Sequence, residues 1–164
     1  MMLYLCSLGS NIEPLQHVPV CVRQLCERIP VITFSSLIET EPMDIATNNR
    51  FINGLAWFES SQSASQLKRF FNQLESRHGR NRHDPLSSYK DRCLDIDLVH
   101  SATSLEQLKH APIEPFLSRL HQQLFEPEAA IIENALRLEI QLTPQWRLPL
   151  GERATTIHFN QTPG

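Results

Sequence analysis

Residues 93–100 read Cys93-Leu94-Asp95-Ile96-Asp97-Leu98-Val99-His100, with apolar and acidic side chains alternating through the centre of the run. A β-strand sends successive side chains to opposite faces, so Leu94, Ile96 and Leu98 share one face and Asp95 and Asp97 the other. This strand completes a series. Leu3 to Leu8 reads as a short buried strand stopped by the turn residues Gly9-Ser10-Asn11. Leu15, Val18, Val22, Leu25 and Ile29 recur at helical spacing, with Pro19 marking either a late start or a bend. Val31 to Thr40 and Phe51 to Glu59 have strand composition, and a loop bearing Pro and Asn separates them. Ser63 and Gln66 form a capping-box start for a helix that places Leu67, Phe70, Phe71 and Leu74 on one face and closes at Gly79. The order strand, helix, strand, strand, helix, strand is the split βαβ pattern of an α+β, ferredoxin-like sheet with helices packed on it in α-β-α layers. Downstream, Ile132, Leu136 and Ile140, with Pro127 at the first turn, predict a helix from Glu128 to Gln141 that covers more of the sheet.

A chain of 164 residues with 41% hydrophobic content is expected to form a single domain over residues 1–164. Its net charge of -3, from 18 acidic and 15 basic residues, favours neither nucleic acid nor a membrane surface as partner. Cys6, Cys21, Cys26 and Cys93 lack the paired spacings of a zinc site. The apolar run from Met1 to Leu8 is too short to span a bilayer and lacks the charged start of a leader. Reduced thiols, a cytoplasmic location and a monomer are the expectations.

Two carboxylates side by side on one strand face repel each other unless they are solvated or share a cation, and a hard cation such as magnesium resolves the conflict. Taken alone, Asp-x-Asp is short and common, and a solvated strand face accounts for it. Its neighbours carry more. Arg80, Arg82 and Arg92 bracket the irregular stretch before the strand, and guanidinium forks match phosphate oxygens. Metal plus arginines describes a polyphosphate-transfer site, while a solvated helix end and loop remains the plain alternative for the arginines.

Four ordered blocks resemble the hydroxymethyldihydropterin pyrophosphokinases of folate biosynthesis. They are Gly9-Ser10-Asn11, Glu39-Thr40-Glu41-Pro42, Phe51-Ile52-Asn53, and Gly79-Arg80-Asn81-Arg82 leading to Arg92-Cys93-Leu94-Asp95-Ile96-Asp97-Leu98. The resemblance implies a ferredoxin-like fold and transfer of pyrophosphate from ATP to the pterin hydroxymethyl group, giving AMP and the pterin diphosphate. It implies a pterin site of Thr40, Pro42, Phe51 and Asn53, with a second ring supplied by Phe125 or, in another register, Phe116. Glu75, Arg80, Arg82 and Arg92 would lie along ATP, with Arg82 and Arg92 catalytic alongside Asp95 and Asp97. The two aspartates would hold two magnesium ions, and the partners would be small molecules alone.

The chain departs from the family pattern at two places. Lys90-Asp91 stands before Arg92 where the family has a small pair such as Gly-Pro. Beyond residue 110 the family carries a phosphate-side histidine and, six residues later, an arginine. Alignment on Phe125 puts Leu117 and Gln123 at those positions, and the shorter register puts Pro115 and His121 there. Loss of such contacts raises an alternative, a non-catalytic or altered-substrate paralogue that binds pterin or nucleotide in a regulatory or interaction role. His110 and Arg119 are candidates to substitute from a rearranged loop, against ordinary surface roles.

Overall fold

Strand β1 (Met2–Ser10) lies inside the sheet because both of its faces are apolar: Tyr4, Cys6 and Leu8 on one, Leu3 and Leu5 on the other. The computed structural model describes residues 1–41, 49–79 and 93–161. Helix α1 (Pro14–Arg28), strands β2 (Val31–Phe34), β3 (Leu37–Thr40) and β4 (Phe51–Ser60), helix α2 (Ala64–Arg77) and strand β5 (Asp95–Ala102) follow in order. The sheet runs β5-β1-β4-β2 with every neighbour antiparallel, which is the ferredoxin-like split βαβ arrangement. A late strand, β9 (Thr155–His158), adds to the outer edge of β2.

Helices α1 and α2 cover the face that carries Tyr4, Cys6 and Leu8, contributing Val18, Cys21, Val22, Leu25 and Leu67, Phe70, Phe71, Leu74 to one core. Pro14 opens α1, and Pro19 sits within it, so the helix starts before the proline. The capping box at Ser63 and Gln66 is formed. At the far end of α2 a 2.7 Å hydrogen bond joins His78 Nδ1 to His17 Nδ1 of α1, with Gln24 Oε1 2.8 Å from His78 Nε2. Burial, and then the neighbouring His17, hold the His78 pKa below its usual value.

The chain after β5 differs from the sequence reading. Residues predicted as a helix from Glu128 to Gln141 instead form a turn, strand β6 (Ala135–Leu136) and strand β7 (Leu138–Thr143), which makes a hairpin with β8 (Trp146–Leu150). A four-residue apolar spacing fits period 2 as well as period 3.6. Leu138 and Leu142, buried with Ile140 between exposed Glu139 and Gln141, settle it as a strand. The helices of this region lie earlier, α3 (Leu105–Lys109) and α4 (Ser118–Phe125), where Leu108, Leu117, Leu120 and Leu124 pack on Leu5 and Leu55. They cover the second face, completing the α-β-α layers.

The segment Val31–Thr40 divides at Ser35–Ser36. Phe34 pairs with Ala56 but Ile38 pairs with Asn53, so one extra residue is inserted opposite β4. Such a β-bulge reverses the facing of every later residue in the strand. Ile32 and Phe34 join the first core, whereas Ile38 joins the second. The bulge is buried, and its polar groups are met internally. Ser35 N donates to Leu55 O at 2.8 Å and Leu55 N to Ser35 Oγ at 2.9 Å. Ser35 Oγ donates to Ser36 O at 2.8 Å, and Gln123 of α4 adds two bonds: its Oε1 accepts from Ser36 N and its Nε2 donates to Ser36 Oγ, both at 2.7 Å.

All four cysteines are free, and among the described residues no helix is long and apolar enough to cross a membrane. Gln123→Leu leaves the buried Ser36 amide without its acceptor, so it is expected to cost about 1–3 kcal/mol of unfolding free energy, measured by denaturant titration.

Candidate active site

Three strands align the polar side chains of the second sheet face into one row. Asp95 of β5 pairs with Gly9 of β1, Gly9 with Asn53 of β4, and Asn53 with Ile38 of β3. Asp97 and Ser7 form the adjacent row. Leu94 and Ile96 are buried in the first core, while Asp95 is half-buried and Asp97 exposed, as the alternation requires. Two strand spacings, roughly 10 Å, separate Asp95 from Asn53 across the bare backbone of Gly9.

Gly9 is required by that row. A Cβ there would stand 2.6 Å from Asn53 Oδ1, so any side chain would push the amide away. Asn53 Nδ2 in turn donates to Thr40 Oγ1. Thr40 shares this face only because the upstream bulge shifted the facing of β3. Phe51, two residues before Asn53, is on the same face by strand alternation and is 8% exposed. Strand β1 continues through Gly9 and Ser10, so the predicted turn at Gly9-Ser10-Asn11 falls later than expected.

The family resemblance implies a place along ATP for Glu75. In the structure it is completely buried in the last turn of α2, and its Oε2 accepts a 2.9 Å hydrogen bond from Ile96 N, between the two aspartates. Pro42, Arg80, Arg82 and Arg92 lie outside the described residues, as do Lys90 and Asp91.

Phe125 is not brought to Asn53. Its ring packs on Trp57 with centroids 6.1 Å apart and on His121 at 5.4 Å, four residues along β4 from Asn53 or roughly 13 Å away at strand rise. Phe116 is placed differently. It is 40% exposed and lines a cleft of about 310 Å³ with Ile38, Glu39, Arg119 and Ile132, next to the Asn53 row. Leu117 and Gln123 are both buried, one in the second core and one on the bulge. His121 is buried against Leu108 O at 3.0 Å. His110 bonds to its own helix, and Arg119 Nη1 donates to Ile131 O at 3.3 Å.

A second cleft, of about 530 Å³, opens beside Asp97 and Ser7 and is walled by Val99, Pro112, Ile113, Glu114, Pro115 and Leu117. Among the described residues no three His, Cys, Asp or Glu side chains converge as a metal cage. Two carboxylates on one strand face, one of them lining an open cleft, nevertheless suit magnesium, which takes one or two carboxylates and completes its octahedron with water and phosphate oxygens. The donor set therefore fits a magnesium ion that arrives with a polyphosphate.

Fold and site together define a ferredoxin-like α+β protein whose edge strand presents an acidic pair beside an amide-bearing face. Residues 5–139 match the model of the 7,8-dihydro-6-hydroxymethylpterin-pyrophosphokinase family, and the chain belongs to that family. The match extends beyond the ordered sequence blocks through the divergent region up to Glu139. No curated protein matches the chain significantly.

Because the Gly9 neighbour is the end of a flexible side chain, Gly9→Ala is expected to turn the Asn53 amide off Thr40 at a stability cost on the order of 1 kcal/mol. The Asn53 side-chain amide resonances report the first effect and thermal unfolding the second.

Proposed function

We propose that this chain transfers the diphosphate of ATP to the hydroxymethyl oxygen of 6-hydroxymethyl-7,8-dihydropterin. The row Asp95, Gly9, Asn53 carries this reading. It sets an amide suited to a heterocycle edge about two strand spacings from a carboxylate pair, with nothing but glycine between them. Asn53, oriented by Thr40, pairs with the amide-like edge of the pterin. Phe51 and Phe116 hold its ring faces, with Pro42 alongside. Phe116 takes the place expected of Phe125, whose ring is committed to Trp57.

Asp95 and Asp97 hold magnesium, in our reading two ions, which when bound neutralise charge on the triphosphate. Arg80, Arg82 and Arg92 supply phosphate-binding forks. The pterin hydroxyl oxygen attacks the β-phosphorus of ATP, the bond from that phosphorus to the α,β-bridging oxygen breaks, AMP leaves, and the hydroxyl proton passes to solvent. The protein aligns these groups and needs no side-chain nucleophile. Cys6, on the strand beside Asp97, cannot serve as one: burial, and then Asp97, push its thiol pKa up to about 12. We place the chain in the cytoplasm as a monomeric single domain spanning residues 1–164, a reading that its unpaired thiols support.

One observation favours a second reading, a paralogue that binds pterin or nucleotide without turnover. The wall facing Asp97 presents Glu114 among apolar residues, and none of Leu117, Gln123, Pro115 or His121 offers a free cation to phosphate. An AMP-release assay with ATP, magnesium and the pterin, run beside calorimetric titration of each ligand, separates the two. AMP release that needs both substrates supports the enzyme, and binding without AMP supports the paralogue.

Asp97→Ala should remove magnesium-dependent AMP release, by a hundredfold or more, with the thermal midpoint nearly unchanged. Full activity in this variant would sink the metal-site assignment. Phe116→Ala should weaken pterin binding about tenfold by calorimetry, whereas Phe125→Ala should act mainly on stability. The reverse pattern would return the second ring to Phe125.

A further inference from the structure

Among the described residues, strand β5 is the outermost strand on its side of the sheet, with β1 on its inner edge. Backbone groups along such a strand point alternately toward the neighbour and away from it. Ile96 directs its N–H outward, and there the carboxylate of Glu75 takes the position that another strand's carbonyl would fill, at 2.9 Å. The bond lies between Asp95 and Asp97 along the chain, on the one backbone unit that links them.

A carboxylate is a costly way to fill this position. Glu75 is fully removed from solvent, at the junction of α2, β5 and α1, where it also helps raise the Cys21 pKa behind the larger effects of burial and the neighbouring thiols. An apolar side chain of similar volume would pack there at no desolvation cost. What a carboxylate supplies to Ile96 N, and an apolar side chain would not, is a charge-assisted bond to a backbone amide, roughly twice as strong as a neutral one. An edge strand without such a tie is free to twist, and a shift of about 1 Å at a reacting centre is enough to cost on the order of a hundredfold in rate.

We propose that Glu75 is a positioning residue for the carboxylate pair. By pinning Ile96 N, it fixes the pleat from which Asp95 and Asp97 project, and so sets the geometry in which they receive a metal-polyphosphate. This replaces direct contact with ATP as the role of Glu75, and it rests on the proposed reading of Asp95 and Asp97 as metal ligands.

The test compares Glu75→Gln, which keeps an acceptor oxygen for Ile96 N, with Glu75→Leu, which removes it. Three quantities are read on the full chain: hydrogen exchange of the Ile96 amide, Mn2+ binding in the presence of α,β-methylene-ATP by calorimetry, and AMP release. Glu75→Gln should keep Ile96 protection and hold Mn2+ affinity within about threefold of wild type. Glu75→Leu should lose that protection and weaken Mn2+ binding by about 10- to 100-fold, with pterin affinity unchanged. If Glu75→Leu does not fold, the glutamine variant alone decides: intact Ile96 protection with near-wild-type Mn2+ affinity supports positioning.

A glutamine variant that keeps Ile96 protection yet loses Mn2+-nucleotide binding would overturn the proposal and return Glu75 to direct contact with the metal or nucleotide. Wild-type Mn2+ affinity in a folded Glu75→Leu protein would overturn it too. A wild-type chain that binds no Mn2+-nucleotide fails earlier, at the carboxylate-pair assignment itself, so the two failures are distinguishable.

Discussion

A single extra residue in the chain between Phe34 and Ile38 decides which side chains meet across the sheet. Without it Thr40 would face α1 and α2, and Asn53 would lack the hydroxyl that holds its amide. An inserted residue leaves backbone groups off the ladder in a place where no water reaches, and each must be paired internally. The serine hydroxyls and the Gln123 amide do this, so α4 is tied to the bulge by hydrogen bonds as well as by its leucines. The candidate site thus depends on a polar knot buried behind it.

The same logic governs the acidic pair. Like charges on one strand face are tolerable only if the strand is held in place and a cation or solvent answers them. Core packing of Leu94 and Ile96 anchors one side of β5, β1 anchors its inner edge, and the Glu75 carboxylate meets the outer edge. Asp97 lines a cleft of about 530 Å³. Rigidity comes from the sheet and openness from its edge, a combination that suits a group receiving a metal together with its substrate.

The last third of the chain is where family resemblance and physical role part. Gln123 and Leu117, which fall at cationic positions in one alignment, have become structural: one satisfies the bulge and the other fills the second core. Phe125 likewise serves the core through Trp57, leaving Phe116 exposed beside the Asn53 row. The hairpin β7-β8 escaped the sequence reading because Ile132, Leu136 and Ile140 fit either period, and the intervening Leu138 and Leu142 carried the distinction.

Local pattern alone specified the split βαβ order, the capping box at Ser63 and the opposed faces of Leu94, Ile96 and Asp95, Asp97. Each is a matter of side-chain period or of a bond between residues three apart. The short blocks around Gly9, Asn53 and the aspartates also marked the family without reference to space. Tertiary structure decided the rest: that one bulge turns Thr40 toward Asn53, that Gly9 must be bare because an amide from another strand lies over it, and that Glu75 reaches Ile96 rather than solvent. These partners are 13, 44 and 21 positions apart in the chain, and no periodicity encodes a contact whose two halves meet only when the sheet has formed.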